Sequence, residues 1–251
     1  MNNSEQPLIS IIITAGSHTI ALGRTITSCV NQSYERVEIL VVDYSREAMH
    51  ANVHEDFSQH TLKYVHMPDV SVASVRNTGL AQAEGAFVLF VDGGNEVQEM
   101  WLEKAWYRIN LSGADAAQCA TVYERDNLTA KVHMPNDSLF GFYQRLVYEP
   151  TVPLNSMVVR RDICSQFPED KPLAGDWEFW ITTLKGKKID VQAEYYGSII
   201  HLPPEGEEIE NSSDYLREKH DIMAKYYSEL NFSIRKLKQF FKLRTGYKNK
   251  G

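Results

Sequence analysis

The sequence alternates between short apolar runs and segments with helical spacing, and this alternation is the strongest constraint on its fold. Residues 8–13, 37–42 and 86–91 are apolar, rich in β-branched side chains and bounded by polar residues, as expected for buried strands. Helical spacing follows in residues 20–30 and 71–83. A strand–helix–strand repeat of this kind predicts a mainly parallel α/β sheet with helices on both faces.

The pattern loosens after residue 92, where strands and helices no longer alternate regularly. Further strands are predicted at 62–65, 116–122, 130–133, 157–160 and 191–200, and further helices at 100–111, 177–184 and 213–230. The acidic residues 203–213 lack apolar periodicity, which predicts a mobile loop. Since no repeat and no clear linker is visible, we expect one domain over residues 1–232, followed by a basic tail over residues 233–251.

Composition excludes several classes of function. The chain has 251 residues, of which 43% are hydrophobic and 24% charged, as is ordinary for a globular enzyme. Its net charge of −7 argues against nucleic-acid binding, which usually needs a basic surface. Cys29, Cys119 and Cys164 lie far apart without metal-ligand spacing. Neither a signal peptide nor an apolar run near the ~20 residues of a membrane span is visible, so we expect a cytoplasmic location.

Polar residues follow the predicted parallel strands. Ligands of open parallel sheets bind outside the carboxyl ends of the strands, and this rule selects residues 14–18, 43–46, 75–77 and 92–96. Asp43 could accept hydrogen bonds from a base or a ribose hydroxyl, or it could cap a helix. Asp92 is followed by Gly93 and Gly94, a pattern that suits a metal–diphosphate head group or a plain Asp-Gly turn.

Five separate elements of the sequence occur in a characteristic order. They are the strand at 10–13, the residues Ser28, Gln32 and Tyr34 before VEILVVD, the group Arg76, Asn77 and Gly79, the run FVLFVDGG, and GDWEFW at 175–180. In order and spacing these elements resemble the family 2 glycosyltransferases over about the first 200 residues. The resemblance implies the GT-A fold, a Rossmann-like nucleotide-binding fold. It also implies sugar transfer from a nucleotide-sugar donor to a saccharide or lipid-linked glycan acceptor, as in surface polysaccharide biosynthesis.

The resemblance implies roles for individual residues. Asp176 matches the general base of an inverting displacement, which takes the proton of the attacking acceptor hydroxyl. The alternative is a purely structural role as the N-cap of a helix. Asp43 matches a nucleotide-binding aspartate, and Arg76 the basic residue near the donor diphosphate. Trp177 and Trp180 would face the acceptor, although Trp180 is also typical of a core residue. The remaining donor-side positions are Thr14, Asp92, Gly93 and Gly94.

A divalent cation, Mg²⁺ or Mn²⁺, is also implied by the resemblance. Asp92 would be a ligand, and His201 occupies the region where family members often place a histidine near the metal and diphosphate. Gly94, however, replaces the second carboxylate of the family's Asp-x-Asp motif. Hard cations take several oxygen ligands, and one carboxylate together with the diphosphate oxygens supplies few of them. The sequence therefore leaves metal dependence open.

Other departures lie mainly on the donor side. Residues 14–17 read Thr-Ala-Gly-Ser where the family has Pro-Thr-Tyr-Asn, Tyr44 replaces an aspartate, and Gly175 replaces a glutamate. Three functions remain compatible with this pattern. The preferred one is an active transferase, in which cations such as Arg76 stabilise the leaving diphosphate. The second is a degenerate domain that binds a glycan or partner without transfer. The third is a nucleotidyltransferase that acts on sugar nucleotides. Such enzymes carry a Gly-rich loop with Arg and Lys after the first strand, and this sequence lacks that loop.

The C-terminal tail is strongly basic. Residues 235–250 carry seven Lys and Arg residues and no acid. Ile234, Leu237 and Phe241 fall at roughly helical spacing, which predicts a basic amphipathic helix. Such a helix suits an anionic membrane surface, and so a lipid-linked acceptor. It is also typical of a helix that packs on the domain or on a second subunit through its aromatic face.

If the tail is a membrane-surface helix, a fusion of the tail to a reporter protein should bind anionic vesicles at low salt. Each basic residue near such a surface contributes ~1 kcal/mol, and added salt should weaken binding because it screens these charges. Co-sedimentation with phosphatidylserine vesicles measures the binding, and neutral phosphatidylcholine vesicles are the control. A fusion that stays in the supernatant at low salt would contradict peripheral membrane contact.

Overall fold

A computed structural model describes residues 6–16, 19–48, 57, 62–135, 141–207 and 212–230. The strands are β1 (Ile9–Ala15), β2 (Val37–Asp43), β3 (Leu62–His66), β4 (Phe87–Asp92), β5 (Glu96–Val97), β6 (Ala116–Arg125), β7 (Leu128–His133), β8 (Met157–Arg160) and β9 (Ile189–His201). The helices are α1 (Thr19–Val30), α2 (Val72–Gln82), α3 (Trp101–Ser112), α4 (Phe142–Tyr148), α5 (Gly175–Leu184) and α6 (Ser213–Tyr226). Single 3₁₀ turns lie at Leu154–Ser156, Arg161–Ile163 and Tyr227–Glu229.

The nine strands found among the described residues form one sheet in the order β3-β2-β1-β4-β8-β6-β9-β5, with β7 paired to β6. β1 pairs in parallel with β2 and β4, and β2 pairs in parallel with β3. β8 runs antiparallel between β4 and β6, so β6 and its parallel neighbour β9 regain the direction of β4. The carboxyl ends of β1, β2, β4, β6 and β9 therefore lie at the same edge.

The sheet has a hydrophobic core on each face, because alternate residues of a strand point to opposite sides. In β1, Ile11 and Ile13 belong to a cluster with side chains of α1 and α3. Ile12 belongs to the other cluster, with side chains of α2, α4, α5 and α6. The expected α/β architecture with helices on both faces is confirmed by this division.

α2 lies unusually close to the sheet at Gly79. A Cβ atom at this position would lie 2.3 Å from Ile12 Cγ2 and 3.4 Å from Val42 Cγ2. Ser71 begins the helix as its N-cap, and its hydroxyl accepts a hydrogen bond from the Ser74 N–H at 3.1 Å. Because α2 packs so closely on the sheet, the direction of the Arg76 side chain, one turn before Gly79, is fixed.

Most predicted elements are confirmed in order, with ends shifted by a few residues. β9 continues through Gly197, where a Cβ would lie 2.9 Å from Cys119 Sγ. The last predicted helix ends at Tyr226 and continues as a 3₁₀ turn. β5 and α4 were not predicted. β5 has only two residues and exists through its pairing with β9.

Some expectations concern residues that the structure does not describe. The predicted basic tail at 233–251 lies outside the described residues, as do residues 208–211 of the predicted mobile loop. The division at residue 232 therefore stays a prediction. Within the described part of the chain, every helix is too short or too polar to cross a membrane.

We expect Gly79→Ala to lower the free energy of unfolding by about 1–3 kcal/mol, because the added methyl overlaps with Ile12 and pushes α2 from the sheet. Gly23→Ala in α1 is the matched control. Nothing lies within 4 Å of its added Cβ, so the better helix propensity of alanine should stabilise the protein by up to about 1 kcal/mol. Urea unfolding measures the stability of both variants. An unchanged unfolding midpoint for Gly79→Ala would contradict the close packing of α2 on the sheet at this residue.

Candidate active site

Predicted donor-side residues meet at the carboxyl edge of the sheet. Thr14, the residue before the last of β1, lies beside Asp92 at the end of β4, and the two are partners in the parallel register. The Thr14 hydroxyl donates to Asp92 Oδ1 at 2.6 Å. Arg76 Nη2 donates to both carboxylate oxygens of Asp92, at 2.8 and 2.9 Å. Three residues that are distant in sequence therefore form one hydrogen-bonded group.

Arg76 is the buried cation of this group. Its side chain is 11% exposed, whereas that of Asp92 is 36% exposed. The guanidinium lies over the ring of Phe167, 5.3 Å from its centroid. Its Nε is buried and has no hydrogen-bond partner among the described residues. A buried donor without an acceptor lowers stability, and an anionic ligand could supply that acceptor.

The backbone around Phe167 is held by the neighbour of Arg76 in sequence. Asn77 Nδ2 donates to the Phe167 carbonyl at 3.0 Å, and the Phe167 N–H donates to Asn77 Oδ1 at 2.8 Å. The Asn77 side chain thus pairs with this backbone as a strand would. Sequence analysis did not identify Phe167, because its partners lie far away in the chain.

Asp176 faces the same group from the first turn of α5. Its Oδ1 accepts a hydrogen bond from the Trp177 N–H at 2.8 Å. The helix begins at Gly175, after the cap residue Ala174, so Asp176 is not its N-cap. Burial is the main cause that raises the pKa of Asp176; Arg76 opposes this rise, and repulsion from the Asp92 carboxylate adds to it.

The same surroundings have the opposite effect on Asp92. Burial alone would raise the pKa of Asp92, but the Arg76 guanidinium and the Thr14 hydroxyl hold it below the ordinary value. The carboxylates of Asp92 and Asp176 therefore share the Arg76 guanidinium, but the pKa of Asp92 is lowered and the pKa of Asp176 is raised. Asp92 stays ionised, whereas Asp176 is the group that takes up a proton more readily.

Gly93 and Gly94 shape the turn after β4, but their N–H groups are used within the protein. The Gly93 N–H donates to the Thr14 carbonyl at 2.8 Å, and the Gly94 N–H donates to Thr25 Oγ1 at 2.8 Å. Gly94 has φ +106°, a conformation that favours glycine. Thr25 in α1 also donates to the Asn95 carbonyl at 2.7 Å. The donor-binding role of Gly93 and Gly94 therefore stays a prediction.

Asp43 is fully buried at the end of β2. Its carboxylate accepts hydrogen bonds from the Ser45 N–H at 2.8 Å, from the Ser45 hydroxyl at 2.5 Å and from the Tyr64 hydroxyl. A nucleoside would have to displace one of these donors to reach the carboxylate. The nucleoside-binding role of Asp43 stays a prediction. Tyr44 is closer to the open edge, because it is partly exposed.

The metal-binding expectation concerned Asp92 and His201. His201 Nε2 lies 2.6 Å from Glu96 Oε1, and its Nδ1 lies 3.8 Å from Glu124 Oε2. Both oxygens of Asp92 contact Arg76. In the described ranges, no group of three or more His, Cys, Asp or Glu side chains is arranged to hold a metal ion. This donor set does not fit a hard divalent cation, and metal binding stays a prediction.

The expected acceptor-side role of Trp177 and Trp180 is not supported, because both side chains lie in the core. Trp177 is 2% exposed and its Nε1 donates to the Leu146 carbonyl at 2.6 Å. Trp180 is 0% exposed and packs against Phe179, with ring centroids 4.7 Å apart. α5 is almost entirely buried, so its aromatic residues anchor Asp176 rather than touch an acceptor.

The family model described as glycosyl transferase family 2 matches residues 10–161, which is more than half of the chain. The protein therefore belongs to glycosyltransferase family 2, and the resemblance seen in the sequence is confirmed.

Solved structures with similar folds confirm the GT-A fold. S. aureus TarS 1–349 in complex with UDP-GlcNAc has a TM-score of 0.70 and 21% identity, covering 86% of this chain and 65% of that chain. Mannosyltransferase PcManGT from Pyrobaculum calidifontis, in complex with GDP-Man and Mn²⁺, has a TM-score of 0.60 and 18% identity, covering 81% and 59%.

Curated relatives match over shorter stretches. Glycosyltransferase GlyA of Streptococcus pneumoniae is 26% identical over 111 residues, which are 43% of this chain and 16% of GlyA. The matched part of this chain spans less than half the length of this relative and of the three others next to it in similarity.

We expect Asp92→Asn to lower the free energy of unfolding by about 1–2 kcal/mol at pH 7, because it removes the carboxylate that is hydrogen-bonded to the buried Arg76. The pKa of Asp92 in the folded state lies below its ordinary value of 3.8. Its stabilising contribution is therefore complete above pH ~4 and is lost as the pH falls through the folded-state pKa. Urea unfolding over a pH series should show the difference from wild type shrinking in acid.

The control for this prediction is Asp162→Asn, which removes an ion pair between exposed side chains of Asp162 and Arg160. Such pairs contribute about 0–1 kcal/mol. Equal losses of stability in the two variants at pH 7 would contradict a special role for the Arg76–Asp92 pair.

Proposed function

We propose that this protein is an inverting glycosyltransferase, which moves a sugar from a nucleotide-sugar donor to a hydroxyl of a saccharide or lipid-linked glycan. The observation that carries the proposal is the group of Asp176, Arg76 and Asp92 at the carboxyl edge of the sheet. Membership of family 2 supports the reaction class. The donor class is supported by fold neighbours in complex with UDP-GlcNAc and GDP-Man.

Asp176 is the general base in this proposal. The acceptor oxygen attacks the anomeric carbon and gives its proton to the Asp176 carboxylate, while the bond between the anomeric carbon and the diphosphate oxygen breaks. The electron pair of that bond leaves with the diphosphate. A pKa raised by burial brings the carboxyl nearer to the working pH, which improves proton transfer.

Arg76 stabilises the negative charge that develops on the leaving diphosphate. Only Nη2 of its guanidinium contacts Asp92, and its Nε has no partner among the described residues. The cation is held rigidly by Asp92 and Phe167, so it needs little rearrangement during the reaction. No step of this scheme passes through a metal ion.

The acceptor is proposed from chemistry outside the described residues. A basic tail at an anionic membrane surface would suit a lipid-linked or growing surface glycan. A cytoplasmic location with peripheral membrane contact belongs to the same proposal. Asp176 is the residue of α5 that this proposal places at the acceptor, because Trp177 and Trp180 are buried.

A second candidate function is glycan or partner binding without transfer. One observation favours it, since the Asp43 carboxylate and the N–H groups of Gly93 and Gly94 are satisfied within the protein. The two candidates differ in whether a nucleotide-sugar binds and whether it is turned over.

The first test is calorimetric titration with UDP, GDP, CMP and dTDP and their sugars, with and without Mn²⁺. We expect one donor to bind, and Asp176→Asn to bind it with a Kd within about threefold of wild type. Turnover by this variant should fall about 10²–10⁴-fold, as is usual when a general base is removed. In wild type, kcat/KM should decline as the pH falls through a pKa above 3.8, the ordinary value for Asp176.

Asp170→Asn is the matched control. Its carboxylate is 77% exposed and pairs with Lys171 in the loop before α5, so turnover should not change. Full turnover by Asp176→Asn would overturn its role as base. A folded protein that binds none of the donors would favour the binding-only function.

A further inference from the structure

α6 contacts the backbone that leads into α5. Glu218 of α6 is 7% exposed, and its Oε2 accepts hydrogen bonds from the N–H groups of Leu173, at 3.0 Å, and Ala174, at 2.9 Å. These residues immediately precede Gly175, where α5 begins, and Asp176 is the next residue. One buried carboxylate thus holds the entry to the helix that carries the candidate base.

A second contact fixes α5 one turn further on. Glu178 is 5% exposed, and its Oε1 accepts hydrogen bonds from Lys225 Nζ at 2.5 Å and from the Tyr226 hydroxyl at 3.0 Å. Both donors lie on α6. Since Asp176 lies between the two contacts, α6 restrains the chain before and after it.

The start of α5 has no side-chain cap of its own. Its cap residue, Ala174, has no side chain that can accept a hydrogen bond, and uncapped N–H groups at a helix start are unfavourable when buried. A carboxylate near this end also interacts well with the helix dipole. Glu218 accepts from the N–H groups of this cap residue and of Leu173 before it, so it anchors the backbone at the point where α5 begins.

Local packing leaves little freedom for the entry to α5. A Cβ on Gly175 would lie 3.3 Å from the Pro168 carbonyl oxygen, so the preceding loop is folded tightly over this position. Ile222 of α6 is fully buried in the same cluster as Trp177. The direction of Asp176 is thus set by contacts with α6 and this loop.

We propose that Glu218 is a positioning residue for the reaction, which holds the first turn of α5 so that Asp176 points at the acceptor hydroxyl. The proposal rests on the proposed role of Asp176 as general base. Glu218 lies beyond residues 10–161, the part matched by the family model. It acts through the backbone and touches no reacting atom.

The test compares Glu218→Leu, which removes the acceptor, with Glu218→Gln, which keeps an oxygen in place. We expect Glu218→Leu to lower kcat about 10–100-fold with the donor KM within twofold, because small misplacements of a catalytic group cost rate. Glu218→Gln should retain kcat within about threefold. Amide hydrogen exchange at Leu173 and Ala174 should be faster in Glu218→Leu only.

Lys185→Met is the matched control at the other end of α5. It removes an ion pair in which Lys185 is 62% exposed, and both kcat and exchange at Leu173 should stay unchanged. If Glu218→Leu does not fold, Glu218→Asp withdraws the same acceptor by one methylene and should show the same selective loss of kcat.

The outcomes separate this inference from the proposed function. A folded Glu218→Leu or Glu218→Asp variant with wild-type kcat, or with kcat and KM changed equally, overturns the positioning role while Asp176→Asn still loses turnover. Full turnover by Asp176→Asn overturns the proposed function itself. Loss of kcat in Glu218→Leu with rescue by Glu218→Gln supports the inference.

Discussion

The contact between Arg76 and Asp92 is the interaction on which the site depends. A guanidinium whose side chain is 11% exposed needs a partner for its charge, and Asp92 supplies it from the end of the apolar strand β4. Arg76 reaches it because α2 lies almost on the backbone of the sheet at Gly79. The raised pKa of Asp176 follows from burial beside the same pair, which partly neutralises itself.

Position relative to the sheet was the part of the site that sequence could predict. Apolar runs locate β1 and β4, and the carboxyl-edge rule then places Thr14 and Asp92 side by side. A two-residue strand such as β5 leaves no local pattern, because it is defined by pairing of Glu96 with Ile199, far away in the chain. Helix α4 was missed for a related reason: it is short and packs by tertiary contact.

The state of each side chain was harder to predict than its place. Asp43 looked available for a nucleoside until Tyr64, on the neighbouring strand, was found to donate to it. Trp177 was expected to face the acceptor, but its indole N–H donates a hydrogen bond to the Leu146 carbonyl within the core. In each case the deciding partner is more than twenty residues away, and no periodicity of the sequence encodes such a pairing.

Phe167 connects the two halves of the site. Its ring lies under Arg76 on one side, and it stacks on Phe179 of α5 with centroids 3.8 Å apart. Phe90 of β4 packs edge-on against both rings. The cation and the candidate base are therefore spaced by one rigid aromatic group, while α6 restrains the far side of α5. Because a close-packed core deforms little, this aromatic group and α6 together keep Asp176 at a fixed distance from Arg76.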